Sequence, residues 1–189
     1  MISAAGTRTL TRIRSGVRTF GRDRRGIAAV EFSVALPFML VAYLGSVEVG
    51  NAIATKLRVT STARTLANLA TQYFTIKNAD MSGIMSASTA VMAPYSAAPL
   101  VITLSEVTTD ASGKGTITWS DTLNGTARPV GQSVTLPSQL QTPNISLIWA
   151  EVKYAYTPNL GYVMTGTLTL SDQVYMYPRL ANNVNRVNS

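Results

Sequence analysis

The feature that most constrains this chain is a run of sixteen residues without a charge, from Phe32 to Val47, directly after an arginine-rich segment. With Ile27 to Val30 added, the apolar segment reaches roughly the twenty residues that a helix needs to cross a bilayer. A secretory signal peptide has a shorter apolar core and a small-residue cleavage site after it, and no clear Ala-x-Ala site follows here. We therefore predict a transmembrane helix over residues 27–47.

The positive charge of the chain is concentrated before this helix. Residues 1–26 carry seven arginines and one acid, Asp23, whereas the rest of the chain holds nine basic and eight acidic residues. The composition of this basic segment fits a mitochondrial transit peptide about as well as a bacterial leader, and the apolar run that follows favours the leader. By the positive-inside rule, the N-terminus is cytoplasmic and the chain after about residue 50 is outside. The nearly neutral body offers no basic face for phosphates, so we expect no nucleic-acid partner.

The residue types that support most catalytic sites are missing. The sequence has no cysteine and no histidine, which excludes a disulfide framework, a thiolate zinc site and imidazole-based acid–base chemistry. The acidic residues of the body show no metal-ligand spacing, and there is no nucleophile elbow or phosphate-binding glycine loop. We expect no enzyme activity, no cofactor and no metal.

Glu31 is the one acid near the start of the apolar segment. An ionised carboxylate inside hydrocarbon costs several kcal/mol unless it is paired, and such residues are functional candidates by default. The alternative is that Glu31 lies at the cytoplasmic interface near Arg24 or Arg25. The spacing favours function, because Gly26 is followed by four apolar residues, then by Glu31 and Phe32.

This stretch, "RRGIAAVEF", resembles the processing site of type IV prepilins. The resemblance implies that a prepilin peptidase cuts between Gly26 and Ile27, and that Glu31 pairs with the new α-amino group. Residues 22–53 also resemble the TadE/TadG pseudopilin family, which has a basic run, a glycine, a "VEF" element, a proline within the apolar helix and a later glutamate-containing end. In this sequence the basic run is Arg22–Arg25, in which Arg24 and Arg25 directly precede Gly26, the glycine of the motif. The other features are Val30 to Phe32, Pro37, and Glu48 to Gly50.

The resemblance implies a minor pilin or pseudopilin of the tight-adherence, Flp-type pilus system, which serves surface attachment and biofilm formation. Its expected partners are the bacterial inner membrane, the prepilin peptidase and other pilins. The resemblance also implies a cytoplasmic N-terminus and a periplasmic head that can be incorporated into a surface pilus. The resemblance leaves open whether the chain is of the TadE, TadF or TadG type. The alternative is a single-pass, membrane-anchored binding module in which "GIAAVE" is a coincidence.

The remaining sequence predicts an α+β fold of type IV pilin layout, with three parts. They are a cleaved leader over 1–26, a long helix over 27–76 and an extracytoplasmic head over 77–189 with a frayed polar tail. Apolar residues at three- and four-residue spacing continue the helix past the membrane, namely Ile53, Leu57, Leu66, Leu69, Tyr73 and Ile76. A second helix starts near Asp80, which is a possible N-cap.

After Pro99 the pattern changes to alternation, which predicts strands. "LVITLSEV" and "KGTITWS" flank a Gly/Asp/Ser turn and predict a hairpin, and "QSVTL" is a weaker candidate. "ISLIWAEVKYAYT" and "GTLTLSDQVYMY" predict two longer strands. The helix is expected to cover the apolar face of a small antiparallel sheet.

Overall fold

The computed structural model describes residues 24–158 and 166–188, with side chains from residue 26 onward. The chain divides into two compact units, Met1–Ser46 and Val47–Ser189, and each is described by itself. Predictions about the leader before residue 24 and about the loop at residues 159–165 fall outside the described residues.

In the first unit, the described residues form the beginning of helix α1, whose bounds are Arg24–Ala70. Pro37 lies inside this helix, and the side chains from Gly26 to Ala42 are exposed. The hydroxyls of Ser33 and Ser46 donate hydrogen bonds to the carbonyl oxygens of Ala29 and Tyr43. Their polar groups therefore need no partner from outside the helix.

Helix α1 ends at Ala70 instead of continuing to Ile76 as expected. A turn follows, and the carbonyl oxygen of Thr71 accepts a hydrogen bond from the backbone N–H of Arg179. Thr75–Ile76 then forms strand β1, which pairs in parallel with strand β7, Asn185–Arg186. Tertiary pairing with the C-terminal segment has overridden the helical spacing of Tyr73 and Ile76.

The second unit contains one short helix and a five-stranded sheet among its described residues. Helix α2 is Asn78–Ala90, and a 3₁₀ turn covers Ser138–Leu140. The sheet strands are β2 (Leu100–Thr109), β3 (Gly115–Leu123), β4 (Ser133–Val134), β5 (Ser146–Tyr156) and β6 (Leu168–Met176). They lie in the order β4-β3-β2-β5-β6 with antiparallel neighbours. This confirms the α+β prediction, including the hairpin of β2 and β3.

The N-cap prediction for α2 is wrong. The helix begins one residue after Lys77, and the Asp80 carboxylate accepts a hydrogen bond from the Lys77 backbone N–H at 3.0 Å. Asp80 therefore caps the first turn from inside the helix, where a carboxylate also interacts favourably with the helix dipole.

The predicted apolar stripe of α1 is only partly correct. Ile53 and Leu57 are 57% and 62% exposed. The buried side of α1 in the second unit is built mainly from small residues, namely Ala52, Thr55, Val59, Thr62, Ala63, Leu66, Ala67 and Ala70. These small residues do not follow the spacing of large apolar side chains on which the prediction relied, so that spacing did not show which side of the helix is buried.

The sheet carries a hydrophobic cluster on each face. The larger cluster joins α1 and α2 to alternating residues of β2 and β5, including Leu100, Ile102, Leu104, Ile148, Ala150, Val152, Tyr154 and Tyr156. On the outer face, residues from the β4 and 3₁₀ region cover a smaller cluster of Val107, Ile117, Leu136, Leu147 and Trp149. The alternation predicted for β5 is confirmed, with both of its faces covered over part of its length.

The polar C-terminal segment is held in place, so the prediction of a frayed tail is wrong. Val184 is fully buried. Its N–H donates to Glu106 Oε1 at 2.7 Å, and its carbonyl oxygen accepts from Trp119 Nε1 at 2.6 Å. Two residues later, Arg186 Nε donates to Asp121 Oδ2 at 2.8 Å. We call residues 183–187 with these contacts the C-terminal clasp.

Candidate functional site

The residues that the sequence marks for processing lie in the first turns of α1. Gly26 and Ile27 are helical and exposed, and Glu31 is also exposed. Glu31 follows Ile27 by four residues, so the two side chains share one face of the helix, with Cβ atoms about 5–6 Å apart. Val30, Phe32 and Pro37 continue the same helix. The structure therefore brings the motif together by helical spacing alone.

Packing gives no reason for a glycine at position 26. A Cβ atom built there meets no atom within 4 Å. Glycine inside a helix is about 1 kcal/mol less favourable than alanine. Gly26 therefore weakens the helix without relieving any crowding among the described residues, as Gly50 does further along the same helix.

Glu31 takes part in none of the ion pairs among the described side chains, which join Lys56 to Asp172, Arg128 to Glu151 and Arg186 to Asp121. Arg24 and Arg25 are described as helical backbone only. Because the surrounding side chains are exposed and apolar, the carboxylate lies on a surface that would face lipid or another helix.

Glu48 is a second glutamate of α1, and the sequence pattern did not reveal its setting. It is only 2% exposed and belongs to the second unit. Burial raises the pKa of Tyr156, and the nearby Tyr95 and Glu48 raise it further. Burial likewise raises the pKa of Tyr154, with further contributions from Tyr156 and Tyr95. Glu48 therefore lies in a tyrosine-rich part of the core. It shares the buried side of α1 with Ala52 and Thr55, and this spacing is the sequence signal that could have indicated its burial.

Among the described residues, α1 is the one helix that is long and apolar enough to cross a membrane. The described residues contain no cluster of acidic side chains that could hold a metal ion. Between Gly26 and Ser46, α1 thus offers a largely apolar, exposed surface with a single carboxylate, that of Glu31.

Comparison with protein families gives one result. The family model described as TadE-like protein matches residues 26–68. This segment is therefore similar to TadE-like proteins. The match begins at Gly26 and ends two residues before α1 does, so it covers the helix and none of the strands. It confirms the resemblance predicted from Gly26, the "VEF" element and Pro37. No curated protein and no solved structure matches the chain.

A TadE-like segment implies involvement in the tight-adherence pilus system, together with other components of that system in the membrane. TadE-like proteins are in general structural rather than enzymatic. The single N-terminal apolar helix agrees with membrane anchoring.

Proposed function

We propose that this protein is a non-catalytic minor pilin that is cut after Gly26 and then joins or primes a tight-adherence pilus for surface attachment and biofilm formation. The observation that carries the proposal is the spacing of Gly26, Ile27 and Glu31 on one exposed apolar helix. The TadE-like match, which starts at the same glycine, supports it.

Cleavage would change the electrostatics of this helix end. It removes the basic leader and leaves an ammonium group on Ile27, one helical turn from the Glu31 carboxylate. An unpaired charge is expensive in an apolar environment, whereas an ammonium and a carboxylate in contact compensate each other. Among parallel subunits, Glu31 of one chain could pair with the Ile27 amine of a neighbour, which would fix the register between helices.

The first test is processing. Protein from a cell that contains the prepilin peptidase should begin at Ile27 by terminal sequencing and intact mass. Gly26→Ala should be cut much more slowly, because alanine stabilises the helix that must open around the cleaved bond, and its methyl group hinders close approach of the protease to the backbone. Gly50→Ala is the matched control, since a Cβ at position 50 also meets no atom within 4 Å. A mature wild-type protein that begins at Met1 would remove the main support for the proposal.

The second test separates assembly from processing. Glu31→Gln keeps the size and polarity of the side chain and removes its charge, so the new ammonium group loses its partner. We expect this variant to be inserted and cut normally but to co-purify poorly with its partner pilins and to reduce surface attachment. Glu31→Asp, which retains the charge, should be affected less. Equal co-purification of Glu31→Gln and wild type would place Glu31 in the interfacial role instead.

The alternative, a permanently tethered binding module, makes a different prediction about the same chain. It requires the same topology, and a reporter that is active only outside the cytoplasm should be active after Ser189 in either case. It differs in that neither Gly26→Ala nor Glu31→Gln should change the mature mass or the set of co-purifying proteins.

A further inference from the structure

A polar cleft lies on the outer face of the sheet, away from the larger hydrophobic cluster. Its volume is about 330 Å³, which is in the range of sites for small ligands. Strands β2 and β5 form its floor, and the connection between β3 and β4 forms its wall. Neither the proposed processing nor the TadE-like match involves this region.

The cleft contains a cation that the fold holds in a fixed position. The guanidinium carbon of Arg128 lies 4.0 Å from the centre of the Trp149 ring, and Arg128 Nε donates to Glu151 Oε2 at 3.0 Å. Trp149 is in turn stacked on Tyr175, with ring centres 5.3 Å apart. The Arg128 and Glu151 side chains are only 27% and 15% exposed. The guanidinium is thus preorganised, so little side-chain entropy would be lost on binding.

Part of the hydrogen-bonding capacity in this cleft is unused by the described protein groups. Arg128 bonds to Glu151 through Nε and Nη2, and its Nη1 has no partner among the described residues. Lys153 also lines the cleft, and its Nζ makes no hydrogen bond or ion pair with a described group. With Glu151 as the one acid in the lining, the two cations leave the cleft with an excess of positive charge.

We propose that this cleft binds a carboxylate-bearing sugar unit, such as one uronic acid residue of an acidic polysaccharide. Arg128 Nη1 and the Lys153 ammonium would bind the carboxylate. The side chains of Thr103, Thr126 and Gln132 in the lining would hydrogen-bond the sugar hydroxyls.

The lining favours a sugar over a peptide. A peptide that ends in a carboxylate presents the same charge, and Val101, Ala127 and Pro129 give the lining some apolar surface for either ligand. An extended peptide, however, is usually recognised by pairing of its backbone with a strand edge. Here the floor belongs to β2, which lies between β3 and β5, and to β5, which lies between β2 and β6. Neither floor strand therefore has a free edge. The site belongs to the head, so its use does not depend on cleavage at Gly26.

The test uses the full chain in phosphatidylcholine nanodiscs and ligand-observed NMR titration with a galacturonate trimer. We expect weak, saturable binding that weakens several-fold when salt is raised from 0.05 to about 0.5 M, because the contact is ionic and partly exposed. A galactose trimer, which lacks the carboxylates, and a short peptide with a free C-terminus should bind much more weakly. Tighter binding of the peptide than of the trimer would assign the cleft to a protein partner and overturn the proposal.

Variants locate the binding. Lys153→Gln removes an exposed charge without breaking a described contact and should weaken binding about fivefold, the scale of one partly exposed charge pair. Lys114→Gln, in the turn between β2 and β3, is the matched control and should bind like wild type. Arg128→Lys keeps the charge but loses the planar guanidinium, which bonds to Glu151 through two nitrogens and stacks on Trp149. It should also weaken binding. Equal binding by Lys153→Gln and Lys114→Gln, or no binding by wild type at millimolar trimer, would refute the site.

Discussion

The C-terminal clasp depends on one buried carboxyl group, which makes it a sharp target for mutation. Glu106 is 1% exposed, and its Oε1 accepts hydrogen bonds from the Ser146 hydroxyl at 2.6 Å and the Val184 N–H at 2.7 Å. Its Oε2 is buried and has no partner among the described residues. The side chain therefore acts through a single acceptor atom that two donors share.

Glu106→Ala should be strongly destabilising. It leaves a buried N–H and a buried hydroxyl without their acceptor, and a buried donor left unsatisfied costs about 1–3 kcal/mol. Because the Ser146 hydroxyl can rotate toward other acceptors, we expect a total loss of about 3 kcal/mol. For a domain of this size, that corresponds to a fall in Tm of about 10 °C. Glu106→Gln keeps the shared acceptor and should change stability by less than about 1 kcal/mol.

Thermal unfolding followed by circular dichroism measures these differences in the full chain in nanodiscs. Ser146→Ala removes one of the two donors and should cost about 1 kcal/mol in wild type. It should cost almost nothing in the Glu106→Ala background, because the partner is already gone. The reasoning fails if Glu106→Gln is as unstable as Glu106→Ala, since the charge rather than the shared acceptor would then hold the clasp.

Two predictions concern the turn between β2 and β3. The Ser112 hydroxyl, with the backbone N–H groups of Lys114 and Ser112, lowers the pKa of Asp110 below 3.8. The Asp110 carboxylate therefore contributes stability above about pH 4, and this contribution is lost as the pH falls through the lowered pKa. The free energy of unfolding of Asp110→Asn, measured by chemical denaturation, should thus depend less on pH than that of wild type between about pH 4 and 2. Gly113 has φ +81°, and a Cβ there would lie 2.5 Å from the Gln141 carbonyl oxygen, whereas Gly131 has φ +82° and open space around it. Gly113→Ala should therefore lose at least about 2 kcal/mol in chemical denaturation and Gly131→Ala about 1 kcal/mol, and equal losses would show that the Gln141 contact is unimportant.

The alternation of apolar and polar residues predicted those elements that bury one side of a single continuous segment. Alternation placed β2, β3, β5 and β6 within a few residues, because each strand has at least one apolar side that the core selects. The buried side of α1 was placed only partly, since its contacts use alanine and threonine. Periodicity in large apolar residues predicts which side of a helix is buried, whereas the buried side of α1 in the second unit consists mainly of small residues.

The ends of the long helix show a second limit of local reasoning. Helical spacing carried the predicted α1 through Tyr73 to Ile76, but Ile76 is buried as part of a strand that pairs with Asn185–Arg186. The partners are more than one hundred residues apart in sequence. The composition around Val184 is polar, and it could not show that Glu106 would accept a hydrogen bond from the Val184 N–H or that Trp119 would donate one to the Val184 carbonyl oxygen.

Three glutamates make this limit specific. Glu31 stands out in the sequence because its neighbours along the chain are apolar, so the mismatch between charge and surroundings is local and readable. Glu48 and Glu106 are far more buried, yet their neighbours in sequence are of mixed polarity, and their burial is created by segments that arrive from elsewhere in the chain. A buried acid within a folded head is therefore evident only from tertiary structure, and its hydrogen-bond partners identify its role. Glu106 has two donors that hold the C-terminal clasp, whereas the described side chains give Glu31 no ion-pair partner. A carboxylate on an apolar surface, without an ion-pair partner among the described side chains, is suited to a partner from outside that fold. This is the physical basis on which we propose a role in assembly for Glu31 and expect a role in stability for Glu106.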